Sequence, residues 1–198
     1  MPPRLWTSRS PGADMVPSLA NYAEWFTCAA RFYFLKEGYA FLSFELAQVE
    51  EPGFPVGKLL SSGNRVIGMR FLRPVEAVGD AYEAGDVSRA RMAEAGIWLL
   101  YALPLSADPL DQQLTHQKVA FTDVADVATD AEGHLVAART ITFRQLVLGL
   151  EDGTHGREVP AGETAGMFLS TAREGDATLY LVMNRHERTI IVLGNHRR

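Results

Sequence analysis

Carboxylates and imidazoles are the side chains that acid–base catalysis and metal binding both draw on. In this chain they gather most densely in the run GLEDGTHGREVPAGETAG, residues 149–166, which holds Glu151, Asp152, His155, Glu158 and Glu163 among glycines. A zinc site needs three or four such ligands converging on one point. Asp152 and His155 can meet across a turn, but Glu158 and Glu163 join them only if the segment folds back. No recurrent ligand spacing such as H-E-x-x-H is present. The run therefore reads as an overlong connection between two strands. Loops of that length in a compact domain usually have a function. Asp152, His155, Glu158 and Glu163 are accordingly assigned to a partner-contact loop, with no metal.

The other reactive residue types are scattered. His186-Glu187 lies between Arg185 and Arg188, where adjacent side chains at a hairpin tip point apart into water. Cys28 is the one cysteine, which precludes an internal disulfide and fits a reducing compartment. No nucleophile signature surrounds it, so it reads as a small buried hydrophobe. Arg65, Arg70 and Arg73 share a strand, but alternation sends Arg70 to the face opposite Arg65 and Arg73, a poor arrangement for gripping an anion. G-x-S-x-G, G-x-G-x-x-G and the phosphate-binding loop are absent from the sequence. Nothing in the chain calls for a cofactor, and the reading leans away from an enzyme.

Composition sets the frame for these residues. In 198 residues, 47% hydrophobic content is ample for one sizeable core, and 22% charged residues is too few for a disordered chain. The net charge of −5 argues against direct nucleic-acid reading. The charge is uneven: residues 74–132 hold eleven Asp and Glu against Arg89, Arg91 and Lys118, while both ends are basic. Such a chain can contact an acidic neighbour, including another copy of itself. Neither a secretory h-region nor an apolar run long enough to span a membrane is found, so the expected location is the cytoplasm, or a particle assembled there. Sixteen arginines against three lysines suggest a GC-rich bacterial or phage genome.

The elements expected to position these side chains begin after a proline-rich tail, residues 1–13. A single domain is expected over 14–195, with a short tail at 196–198. A helix is predicted from about Asp14, capped by Asp14 or Ser18, to Glu37, with Gly38 ending it. It carries two apolar stripes, Tyr22–Phe26–Ala29–Tyr33 and Trp25–Cys28–Phe32–Leu35, with Asn21, Glu24, Thr27 and Arg31 on a narrow polar face. A helix so apolar is buried on several sides, at the centre of a domain or between a sheet and a second chain. Period-2 alternation then predicts strands at YAFLSFELAQV, with Leu42, Phe44 and Leu46 on one face, and at RVIGMRFLRPV, with Ile67, Met69 and Phe71 on one face. Residues 80–95 read as a second helical segment and GIWLLYALPL as a buried strand. KVAFTDVADVAT and HLVAARTITFRQLVLG read as strands flanking a turn at Asp130–Gly133, followed by strands at GMFLSTA, ATLYLVMN and RTIIVLGN.

The fold class is α+β: a mainly antiparallel sheet, or a partly closed barrel, of about seven or eight strands, with one long buried N-terminal helix and a second helical segment. Two functions fit. The first is a non-enzymatic structural, assembly or adaptor protein acting on other protein subunits, in a homo- or hetero-oligomer, as part of a bacterial or phage assembly. The second is a small-ligand-binding protein or enzyme whose pocket is lined by Tyr33, Tyr39, Trp98 and Tyr101, with Glu24 or Arg31 supplying charge.

Overall fold

Ser18 caps the first element, α1 (Leu19–Lys36), its hydroxyl accepting from the Asn21 backbone N–H at 3.2 Å. Gly38, at φ +79°, turns the chain out of the helix. The computed structural model describes residues 17–45, 48, 63–75, 80–83, 99–105, 116–159 and 178–194. Among them the strands are β1 (Ala40–Glu45), β2 (Asn64–Phe71), β3 (Ala81–Tyr82), β4 (Leu99–Pro104), β5 (Val119–Asp123), β6 (Val127–Thr129), β7 (Leu135–Ala137), β8 (Ile141–Thr142), β9 (Arg157–Glu158), β10 (Thr178–Asn184) and β11 (Thr189–Gly194). A second helix, α2 (Phe143–Asp152), follows β8 directly.

The main sheet runs β1-β11-β10-β2-β4-β5-β8 and contains eight strands, because β9 also pairs with β2. β2 divides its second edge: Arg65 and Val66 pair with β9, and Gly68 to Phe71 pair with β4. Most pairings are antiparallel, but β1–β11 and β2–β4 are parallel, so the sheet is mixed. It is not closed into a barrel: β1 and β8 lie at opposite ends of the strand order. Two helices on one face bury the sheet without closure. A second, three-stranded sheet, β3-β7-β6, packs through Tyr82, Val127 and Leu135 against Leu72, Tyr101 and Leu103.

The α+β class and the long N-terminal helix agree with the sequence reading. Ile67, Met69 and Phe71 do share one face of β2, fully buried under the helices. Phe26, Phe34 and Phe121 converge on Phe143 with centroid separations of 5.2, 5.6 and 6.2 Å, which locks α1, α2 and β5 together. The Asp130–Gly133 hairpin also stands: the Asp130 carboxylate accepts from the N–H groups of Glu132 and His134, and Gly133 takes φ +89°.

Several expectations are corrected. Of the helical segment expected at 80–95, Ala81–Tyr82 is strand β3, and 84–95 lie outside the described residues. A helix that was not expected, α2, occupies 143–152, inside the stretch read as the strand HLVAARTITFRQLVLG. The reason is a capping box, Thr142 with Gln145, followed by Phe143, Leu146, Val147 and Leu150 buried at helical spacing. KVAFTDVADVAT is also broken. Asp123 caps a 3-10 turn at Val124–Asp126, so β5 stays in the main sheet and β6 leaves for the small one. In β1 Phe41 packs against the core and Phe44, on the other face, is half-buried, whereas Leu42 is exposed. Thr27 is buried rather than polar-faced, its hydroxyl donating to the Ala23 carbonyl at 2.8 Å. Cys28 is exposed. The strand expected at GMFLSTA falls outside the described residues. No helix among those described is long and apolar enough to cross a membrane.

Candidate functional site

Both helices end at the same end of the sheet, and the ionisable side chains collect there. α2 stops at Gly153, which takes φ +88°. So the first residues of GLEDGTHGREVPAGETAG form the last turn of a helix, not a loop between strands. In the turn that follows, the Asp152 carboxylate accepts from the Thr154 hydroxyl at 2.7 Å and its backbone N–H at 2.8 Å. Those two bonds, with His155 and Arg65 nearby, hold Asp152 below the usual carboxylate range. The His155 N–H donates to the Gly149 carbonyl, and its ring lies on Gly149 so closely that a Cβ there would sit 2.1 Å from Cδ2. Gly156, at φ +74°, then lays the chain against Val66 and starts β9.

Three arginines, Arg65 from β2 and Arg185 and Arg188 from the turn between β10 and β11, reach the helix ends and the turn after α2. Arg188 donates to the Glu37 and Gly38 carbonyls at the end of α1, and Arg185 to the Glu151 carbonyl at the end of α2. Arg65 donates to the carbonyls of His155 and Gly156 at 3.2 and 3.1 Å. Carbonyls in the last turn of a helix lack intrahelical partners and carry partial negative charge, so a guanidinium is suited to them. The Arg188 guanidinium also lies over the Tyr39 ring, 4.4 Å from its centroid. The Tyr39 hydroxyl donates to the Glu151 carboxylate. Burial, then that bond and the negative charge of Glu151, push Tyr39 up to about 12 against the opposing pull of Arg188 and Arg185. Beside this network Gly63, Arg65, Leu150, Glu158, Met183, Arg185 and His186 line a cleft of about 200 Å³. In the seam between α1 and α2, His116 packs on Tyr33 and Phe143 at 4.9 and 5.3 Å, and burial lowers its pKa.

The fold thus brings Asp152, His155 and Glu158 to one end of the molecule, together with the His186-Glu187 tip. Asp152 is spent on its own turn, and Glu158 is exposed at the rim of the cleft. Glu163 and Trp98 lie outside the described residues. Glu24 and Arg31 are exposed on α1, while Tyr33 turns inward to Phe143. Tyr39 packs on the helix side of the sheet and Tyr101 in the cluster under the small sheet, so these aromatics do not converge. Among the described residues no three His, Cys, Asp or Glu side chains are placed to hold a metal ion. The sequence reading does not group Arg185, Arg188, Tyr39 and Glu151 as a unit. The signal present in the chain was two arginines bracketing a hairpin tip, which becomes informative only once both helices are known to end beside it.

A second region has a different character. On its outer side α1 presents Trp25, Cys28, Phe32 and Leu35. Phe32 is 75% exposed and Leu35 49% exposed, while Trp25 is half-buried against the core. At 100° per residue these positions point away from Tyr22, Ala23, Phe26, Ala30 and Phe34, which face the sheet. The helix is therefore apolar on both sides, and among the described residues its inner side forms the core while Phe32 and Leu35 on the outer side are exposed.

Comparison with protein-family models, with curated proteins and with solved structures returns no match.

Proposed function

We propose that this protein is a non-enzymatic assembly or adaptor component that works through protein–protein contacts, with the outer face of α1 as its principal contact. The observation that carries the reading is the exposure of Phe32 in line with Leu35, Cys28 and Trp25. Single exposed apolar residues are ordinary, but a continuous apolar stripe along a helix marks an interaction surface. The bias of arginine over lysine accords with a bacterial or phage assembly. The 149–166 segment has a lesser part in this reading, because Asp152 and His155 already serve the turn after α2.

The small-ligand alternative is less well supported. The cleft of about 200 Å³ is below the roughly 300–1,000 Å³ typical of ligand pockets. Its arginines already donate to main-chain carbonyls. The test is light-scattering mass across a concentration series, for the native protein and for Phe32→Asp/Leu35→Asp, with circular dichroism confirming the fold. The expected result is association with itself or with an added partner subunit that the double variant loses. A strict monomer that carries a stoichiometric small ligand in native mass spectrometry overturns the reading.

A further inference from the structure

We infer that the cleft at the arginine-rich end of the sheet is a receptor for a phosphate group, held by Arg65, Arg185 and His186. This goes beyond the assembly reading and does not depend on it. The fold brings these side chains together from three strands and a turn. Met183 of β10, Arg65 of β2 and Glu158 of β9 stand opposite one another on adjacent strands, so they share one face of the sheet. It is the face that α2 covers, where Leu150 packs in the same core as Met183. Arg185 and His186 follow β10 and complete the wall of the cleft. Leu150 and Met183 close it from inside and are themselves buried, so what it presents to a ligand is polar.

The donors are held in place before a ligand arrives. Arg65 gives only Nη1 to the carbonyls of His155 and Gly156, and Arg185 gives only Nη1 to that of Glu151. A guanidinium carries five N–H groups on three nitrogens, so Nε and Nη2 of each arginine remain for an acceptor. The main-chain bonds fix both side chains, so the entropy of ordering them is already lost on folding and does not weaken binding. Arg65 is further confined by Gly153, where a Cβ would lie 2.7 Å from Nη2. His186 adds a ring nitrogen at the open side. The two guanidinium charges oppose the one carboxylate in the lining, Glu158, which is exposed at the rim and screened by water. Three separate donor groups around one space suit an anion with several oxygens and more than one charge, which is a phosphate rather than a carboxylate. A volume of about 200 Å³ equals roughly six waters at ~30 Å³ each, room for a phosphate but for little else.

The test is an NMR titration of the full chain, following backbone amides, with inorganic phosphate, with glycerol 3-phosphate, and with acetate as the carboxylate control. Phosphate is expected to bind with Kd on the order of millimolar and to shift the amides around Arg65, Arg185 and His186. Glycerol 3-phosphate keeps its organic part outside the cleft. Whichever of the two binds more tightly identifies the source of the group, free phosphate or an ester, and either supports the site. Arg185→Gln, at an exposed position, is expected to weaken binding about fivefold or more. Glu158→Gln removes the opposing charge and is expected to tighten it about two- to threefold. Arg65→Gln also loosens the turn after α2, so the exposed pair Arg185→Gln and Glu158→Gln decides the matter. Three results overturn the inference: no saturable shifts at tens of millimolar phosphate, acetate binding as tightly as phosphate, or an affinity that neither exposed variant changes. None of them bears on the outer face of α1, which is tested by mass in solution.

Discussion

The outer face of α1 and the arginine-rich end of the sheet are two surfaces built to opposite rules. The sheet end holds the side chains that resemble chemistry, Arg65, Glu151, Asp152, Arg185, Arg188 and Tyr39, and it uses most of them on itself. Three arginines donate to carbonyls at two helix ends and in the turn after α2, and one carboxylate accepts from a buried tyrosine hydroxyl. The outer stripe of α1, Trp25, Cys28, Phe32 and Leu35, has no carboxylate, imidazole or cation, yet Phe32 and Leu35 are left in water. A cluster of ionisable residues is thus poor evidence of function when each has a structural partner. An apolar stripe with none is better evidence, because exposing it costs free energy that folding alone does not recover.

Mutations can test this contrast at graded cost. The largest effect is expected at Phe143, where the regions share support. Phe143→Ala empties the meeting point of α1, α2 and β5 and should cost about 3–5 kcal/mol, read by urea denaturation. Next is Gly156→Ala. It forces a side chain into φ +74°, 2.7 Å from Leu150 Cδ2 and 3.1 Å from the Val66 carbonyl oxygen, at a cost of about 1–3 kcal/mol. A stability loss there below about 0.5 kcal/mol, the range of ordinary surface changes, would mean that the turn after α2 is soft rather than built.

Tyr39→Phe removes the bond to Glu151 and should cost about 1–3 kcal/mol at neutral pH. The same site has an alkaline signature. Tyr39 and Tyr82 are both pushed up to about 12, Tyr82 first by burial and then by Asp80, whereas an unfolded tyrosine titrates near 10. Between those values the unfolded chain has lost protons that the folded chain keeps, so stability must fall as pH rises from about 10 to 12. Tyr39→Phe should flatten that fall, and ultraviolet absorbance of tyrosinate should show one fewer late-titrating tyrosine. Two tyrosines titrating near 10 in the folded protein would contradict the burial seen at both sites.

Tyr22→Phe tests α1 from its inner side. Among the described residues the buried Tyr22 hydroxyl has no hydrogen-bond partner. Its removal should be neutral or stabilising by up to about 1 kcal/mol. Phe32→Asp, on the outer side of the same helix, should change the stability of the isolated chain least, within about 0.5 kcal/mol. A large loss of stability from Phe32→Asp would show that the outer face serves the fold rather than a partner.

Much of the fold was legible because local rules and burial agree. Ser18 and Gly38 bracket α1, and the alternation of Ile67, Met69 and Phe71 marks β2 and its buried face. Asp130 and Gly133 mark their hairpin. α2 was missed because Ile141, Thr142, Phe143 and Val147 are strand-formers by composition. The capping box at Thr142 and the i, i+3, i+4, i+7 spacing were present but outweighed. The charged candidates were legible as residue types but not as roles. Asp152 could be seen as a carboxylate, not as the acceptor that closes the turn after a helix.

Two apolar stripes along α1, a core-sized hydrophobic content and the order of most strands are properties of the chain alone, since periodicity and turn chemistry act over a few residues. Which stripe faces the sheet was decided by packing. Phe26 and Phe34 reach Phe143, which is more than a hundred residues away, and no local signal can carry that contact. The same holds for the gathering of Arg65, Arg185 and Arg188 at the helix ends. It depends on β2 and β10 being neighbours and on both helices ending beside the β10–β11 hairpin, and those are facts of long-range pairing.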